Sequence, residues 1–289
     1  MFAASFEYHR AASIKEALGM LAQFGDDARL LSGGHSLIPI LKMRLAQPAH
    51  LVDITRIGEL GQVAETGGRI AIGAAVRHHQ VESNPIVRGK IGLLAECAAH
   101  IGDVQVRNRG TIGGSLAHSD PAADFPAAVL ALEGELKLEG AAGARTVKAS
   151  DFFVDLMTTA IKPGEILTQV SFAPLPAGAG YAYFKHPQPA SGFAIVGVAA
   201  WLTLDAKGAA QNVHVGVTGL GAKAFRASAV EKALTGKAPD AKSIADAASH
   251  AAEGIDALAD IHAGSDFRAE LARVYTRRAL ENAAARAKR

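Results

Sequence analysis

Apolar positions along the chain change period several times, and each change marks an element. Ile14, Leu18 and Leu21 recur at helical spacing behind Ser13-Ile14-Lys15-Glu16, a capping box, and Gly25 is a suitable stop. Ala28-Arg29-Leu30-Leu31 reads as a short strand, as do His50 to Ile54 and Arg69 to Gly73. Asn84-Pro85 opens a helical stretch through about Ala98, and Ala122 to Leu132 reads as another. Glu135 to Leu138, Thr146 to Lys148, Glu165 to Phe172, Phe193 to Leu204 and Asn212 to Leu220 read as strands. Helices near 226–234, 240–253 and 266–284 follow. Helix and strand mix without regular βαβ alternation, so the pattern predicts an α+β fold rather than a doubly wound sheet. The breaker run from Pro174 to Gly180 divides the chain into a domain at 1–176 and a smaller α+β domain at 177–289.

Composition narrows the function classes. With 289 residues, 49% hydrophobic and 20% charged, the chain supports a large core, and its formal charge of +2 offers no nucleic-acid face. Arg268, Arg273, Arg277, Arg278, Arg286, Lys288 and Arg289 alternate with apolar and acidic residues, which predicts a solvated helix face and a frayed end. No apolar run approaches the ~20 residues of a membrane span. The start, Met1-Phe2-Ala3-Ala4-Ser5, lacks a basic region followed by an apolar one, so a cytoplasmic protein is expected. Cys97 is the single cysteine, which excludes an internal disulfide and an iron–sulfur cluster held by this chain alone. Its apolar neighbours, Ile91 to Ala99, predict a buried, inert thiol. No metal ligand set is assigned.

The chemistry concentrates in two Gly-Gly segments, Ser32-Gly33-Gly34-His35-Ser36 and Gly110-Thr111-Ile112-Gly113-Gly114-Ser115. A Gly-Gly step lets backbone N–H groups face a ligand with no Cβ in the way, and Ser36, Thr111 and Ser115 add hydroxyls. Neither segment carries the three spaced glycines of a dinucleotide fingerprint or the Lys of a P-loop. The segments are therefore read as two walls around one diphosphate. Asp124 either accepts from a ribose or from the second loop, or merely caps the 122–132 helix. His78, His79 and His118 read as loop or packing residues.

Leu30 to Pro39, followed by Lys42-Met43-Arg44 and Leu51 to Ile54, resembles the FAD-binding medium subunits of molybdenum hydroxylases. Arg107 to Asp124 resembles the second signature of that family more closely still, and the resemblance extends over essentially the whole chain. It implies the two-subdomain FAD-binding fold of the vanillyl-alcohol oxidase type with an α+β C-terminal domain. It also implies that Leu30, Leu31, Ser32, Gly33, Gly34, His35, Ser36 and Leu37 bind the diphosphate of a non-covalent FAD. Thr111, Ile112, Gly113, Gly114 and Ser115 would face them across it, with Asp124 close by. Ile101 and Ile166 or Leu167 would give apolar contacts. Tyr183-Phe184-Lys185 would approach the flavin, Lys185 steadying the reduced, anionic ring. Gln188 and Gly192 stand where many relatives carry charged residues.

The implied task is electron transfer, with no catalytic residue in this chain. Molybdopterin would sit in a large partner subunit and two [2Fe-2S] centres in a small one, as a dimer of heterotrimers. Two alternatives remain: a stand-alone oxidase with flavin attached covalently to His35, and a scaffold that has kept the fold alone. Gly113→Val is expected to abolish FAD binding by driving Cβ atoms into the phosphate path.

Overall fold

A computed structural model describes residues 1–288, so Arg289 lies outside the described residues. Three principal sheets organise the chain. The first is parallel, of order β1-β3-β2, from β1 (Glu7–Arg10), β2 (Ala28–Leu31) and β3 (His50–Asp53). The second is antiparallel, of order β4-β5-β10-β6-β7, from β4 (Val63–Thr66), β5 (Arg69–Gly73), β6 (Glu135–Gly140), β7 (Gly143–Lys148) and β10 (Ile166–Phe172). A two-stranded hairpin, β8 (Phe153–Asp155) with β9 (Thr158–Thr159), sits between its last strands in sequence. The third is an antiparallel meander, β11 (Gly180–Pro187), β12 (Ala194–Leu204), β13 (Ala210–Thr218) and β14 (Phe225–Arg226).

Local sequence chemistry explains the entry into the first sheet. The helix Ile14–Phe24 starts on Ser13, whose Oγ accepts the Glu16 N–H at 3.1 Å. The Glu16 carboxylate in turn accepts the Ala12 N–H at 2.7 Å, and Gly25 ends the helix with φ of 53°. The helix expected from Asn84 to about Ala98 is two helices, Pro85–Lys90 and Gly92–Ala99. They break at Ile91, whose φ of −139° and ψ of 49° leave the helical region. The Tyr181 hydroxyl fills the space beside Gly92 where a Cβ would project. The helix expected at 122–132 begins only at Phe125, because the preceding carbonyls are held by the third sheet. Pro121 O and Ala123 O accept from Thr218 Oγ1 at 2.7 and 2.8 Å, and Ala122 O from the Ala194 N–H at 3.1 Å.

Period-two alternation along β12 gives each face of that strand its own core. Ala199 and Trp201 join Ile70, Ile72, Phe125, Leu136 and Phe172, while Val196, Val198, Ala200 and Leu202 pack under the helix Ser265–Arg286. Trp201 Nε1 donates to Ala131 O at 2.7 Å, which satisfies the one polar atom of that ring. Cys97 is buried in the first of these cores, and desolvation pushes its thiol pKa well up, as an inert thiol requires. Arg268 departs from the solvated face expected of the tail. It is buried, donating to Ile195 O at 2.6 Å, Gly219 O at 2.7 Å and Asp260 Oδ2 at 2.6 Å. Arg273, Arg277, Arg278 and Arg286 do lie on the surface.

Gly216 of β13 lies so close to the helix Phe125–Ala131 that a Cβ there would fall 2.0 Å from Ala127 O. Gly216→Ala is expected to destabilise the chain by about 1–3 kcal/mol through overpacking. Urea unfolding should show a lower midpoint with an unchanged m-value.

Candidate functional site

The strand β2 ends beside a cleft of about 950 Å³ lined by Leu30 and Ser32, at the upper end of the ~300–1,000 Å³ usual for ligand pockets. At the first turn beyond β2, a Cβ on Gly33 would lie 2.4 Å from Arg109 O and 2.8 Å from Gly110 Cα. Gly34 then takes φ of 78°, a left-handed conformation that glycine adopts without strain. Among the described residues, the N–H groups of Gly33, Gly34, His35 and Ser36 donate to no backbone carbonyl. A short run of free N–H groups around a left-handed glycine is a concave anion site.

The second Gly-Gly segment is not a loop. Thr111 is the N-cap of a helix, Ile112–His118, and its Oγ1 accepts the Gly114 N–H at 3.2 Å. The Ile112 and Gly113 N–H groups are already spent on Val76 O and Ala74 O, both at 2.9 Å. A Cβ on Gly113 would strike Ala74, 2.4 Å from its Cβ and 2.6 Å from its O. Gly113 is thus required by the packing of this helix against the residue after β5. The expected reason for the Gly113→Val defect is corrected accordingly: the obstruction is Ala74, not the phosphate path. Ser32 Oγ and Thr111 Oγ1 lie 3.0 Å apart, so the two segments, expected to face each other as two walls, instead meet and form one.

Behind that wall sits a buried charge cluster. Asp124 is 4% exposed; its Oδ1 accepts from the Tyr183 hydroxyl at 2.5 Å, and Lys185 Nζ lies 2.9 Å from the same oxygen. Lys185 also donates to Gly192 O at 2.6 Å. Asp124 occupies the N-cap position of the helix Phe125–Ala131 but makes no side-chain cap, so the capping alternative falls. Burial drives the Asp124 carboxyl pKa up, with Lys185 and the Tyr183 hydroxyl opposing; burial beside that carboxylate pushes the Tyr183 phenol well up too. His78 is also buried. It lines the cleft, its Nδ1 has no partner, and desolvation, then the charges of His35 and Arg107, depress its pKa to about 3.

Of the residues expected at the site, Leu30, Ser32, Gly33, Gly34, His35, Ser36, Leu37, Ile101, Thr111, Gly113, Gly114, Ser115, Asp124 and Leu167 line the cleft. Leu31, Ile112, Tyr183 and Lys185 do not; the last two stand behind it, holding Asp124. Many other residues line the cleft without a signal in the sequence, Phe193 and His78 among them. Phe193, 44% exposed, was counted into a strand, and His78 was read as packing. Phe193 is presented by a turn that Gln188 closes, its Oε1 accepting from Ser191 Oγ at 2.7 Å.

Residues 4–175 match the FAD-binding domain of molybdopterin dehydrogenases, and residues 181–283 match the CO dehydrogenase flavoprotein C-terminal domain. The chain belongs to this FAD-binding molybdopterin dehydrogenase family. It is 40% identical over 289 residues to the carbon monoxide dehydrogenase medium chain of Afipia carboxidovorans, covering 100% of both chains. It is 36% identical over 284 residues to the 6-hydroxypseudooxynicotine dehydrogenase complex subunit alpha of Paenarthrobacter nicotinovorans, covering 98% of this chain and 96% of that one. A solved carbon monoxide dehydrogenase from Hydrogenophaga pseudoflava, lacking the Mo-pyranopterin moiety of its cofactor, superposes with a TM-score of 0.97 at 40% identity over 100% of both chains. Members of the family are subunits of dehydrogenase and oxidoreductase complexes. The geometry fits FAD: free N–H groups at a left-handed Gly34, the Ser32 and Thr111 hydroxyls beside them, and the orphaned Nδ1 of His78 in the wall.

Asp124→Ala strands the Lys185 charge in the interior and is expected to cost about 3–5 kcal/mol in urea unfolding. Adding Lys185→Met should recover a large part of that loss. His78 titrates near 6.5 when unfolded but about 3 when folded, so between those values the unfolded chain binds more protons. Stability of the flavin-free chain should therefore fall as pH drops from about 6.5 towards 3, each pH unit of depression being worth ~1.4 kcal/mol. In His78→Gln, unfolding measured across that window should show a shallower slope.

Proposed function

We propose that this chain carries one non-covalent FAD in the cleft and relays electrons as the medium subunit of a molybdenum hydroxylase. The observation that carries the reading is the free N–H run of residues 33–36 at the head of a family-matched cleft. Those groups and the Ser36 hydroxyl would hold the diphosphate together with Thr111, Gly114 and Ser115 of the adjoining helix start. Ile101, Leu167 and Phe193 would supply apolar surface beside the ring system. Bound FAD supplies both one-electron and two-electron redox chemistry. The protein's part is to bind, orient and fix the local charge. Lys185 does so indirectly, because Asp124 already neutralises it and Gly192 O takes a second of its protons.

Molybdopterin would reside in a large partner subunit and two [2Fe-2S] centres in a small one, assembled as a dimer of heterotrimers in the cytoplasm. One cysteine is too few to hold a cluster, and the relatives' designation as medium chains supports a shared assembly. The coil from Pro174 to Ala179, between β10 and β11, supports a domain division near residue 176.

The visible spectrum of the purified chain, before and after acid precipitation and with FAD added back, tests the reading. A flavin band that leaves with the supernatant is expected. Colour retained in the precipitate would instead mean covalent attachment, and a chain that refuses FAD would leave only a scaffold. Gly34→Val should weaken FAD retention at least about tenfold, since φ of 78° costs a β-branched residue on the order of 1–3 kcal/mol.

A further inference from the structure

At the start of the parallel strands β1 and β3, three side chains converge that the flavin reading does not use and that do not line the cleft. Glu7 and His9 are two residues apart on the edge strand β1, so both project from one face. The parallel register sets Glu7 beside His50 of β3, which places the His50 ring on that face as well. His9 Nε2 lies 3.0 Å from His50 Nδ1, and Glu7 Oε2 lies 3.7 Å from the first and 3.5 Å from the second. Tyr8, on the opposite face, is bonded to Asp53 and takes no part.

We propose that Glu7, His9 and His50 form a binding site for a late first-row divalent cation, with zinc the best fit. Three ligand atoms bound tetrahedrally at ~2.0–2.1 Å must stand roughly 3.3–3.4 Å from one another. The three separations here, 3.0, 3.5 and 3.7 Å, bracket that value, so a metal ion above the triangle they define needs only small side-chain adjustments. Two imidazoles and one carboxylate are a borderline donor set, suited to zinc, nickel or copper and poorly to magnesium or calcium.

The rings are also held in place before any ion arrives. Phe24, at the C-terminus of the first helix, stacks on His50 with ring centroids 3.9 Å apart and planes 14° apart, and on His9 at 4.8 Å and 28°. The imidazole side chains are 23% and 20% exposed, whereas Glu7 is 73% exposed. The rings are thus half sheltered on an aromatic floor, and the carboxylate closes from the solvent side. The remaining coordination position would face water. Because β1 is an edge strand held by β3 alone, an ion bound across the two would clamp that edge. The site stands or falls independently of the cofactor in the cleft.

Calorimetric titration of the tag-free, FAD-loaded chain with zinc chloride tests the assignment. One site with a micromolar or tighter Kd is expected, and Tm should rise with zinc concentration as binding favours the folded state. His9→Gln and His50→Gln should each weaken zinc at least about tenfold, with the flavin spectrum unchanged as evidence of folding. Glu7→Gln, a change at an exposed side chain, should weaken it as well and covers the case in which a histidine variant misfolds. His250→Gln removes a separate surface histidine beside Glu253 and should leave the affinity intact. Absence of saturable zinc binding below millimolar concentration would overturn the proposal. So would an affinity untouched by the Glu7, His9 and His50 changes, which would leave only a hydrogen bond between two mutually tilted imidazoles.

Discussion

The buried carboxylate of Asp124 is the constraint on which the site depends. It lies at the end of the second glycine motif, yet its partners Tyr183 and Lys185 are on β11 of the third sheet. Ionised and 4% exposed, it would be costly if left alone, so burial makes sense only with both partners in place. A buried pair of this kind is weak as a source of net stability, because desolvation of both charges offsets most of their attraction. What it supplies is register. Tyr183 and Lys185 both reach the carboxylate from β11, and Lys185 also holds Gly192 O, next to Phe193 at the cleft.

Neighbouring contacts reinforce the same alignment with ordinary hydrogen bonds. Thr218 Oγ1 lies within hydrogen-bond reach of two carbonyls of one stretch, Pro121 O and Ala123 O, and the Gly219 N–H donates to Pro121 O at 2.7 Å. Gly219 O is in turn one acceptor for the buried Arg268 guanidinium from the last helix. The chain of contacts thus runs from the C-terminal helix through the third sheet to the wall of the cleft. A cofactor seated between loops far apart in sequence needs such a framework, since neither loop alone is stiff enough to fix the other.

Sequence legibility follows the range of the interactions involved. The capping box at Ser13, the stop at Gly25 and the strand before Ser32 are local, and each is realised as its residues dictate. The two glycine motifs were legible as a pair, and most of the residues they name do line one cleft. Their roles were not equally legible. Gly34 is a glycine because of its own backbone conformation, but Gly113 is one because Ala74, far away in sequence, stands against it. No local pattern distinguishes those two reasons.

The same limit explains Arg268 and the Glu7–His9–His50 cluster. An arginine every few residues on an amphipathic helix reads as a solvated stripe, and nothing nearby marks Arg268 as the one whose guanidinium meets two buried carbonyls. Likewise His9 and His50 stand 41 positions apart, and only the parallel pairing of β1 with β3 brings Nε2 of one to 3.0 Å from Nδ1 of the other. In a parallel sheet that juxtaposition requires a crossover: the chain leaves β1 through the helix Ile14–Phe24 for β2 and reaches β3 only beyond the helix Leu37–Lys42, and Phe24, the last residue of the first helix, supplies the aromatic floor beneath both rings. The pairing of β1 with β3 thus sets the spacing of the two rings, while a segment that leads to a third strand supplies the surface on which both rest.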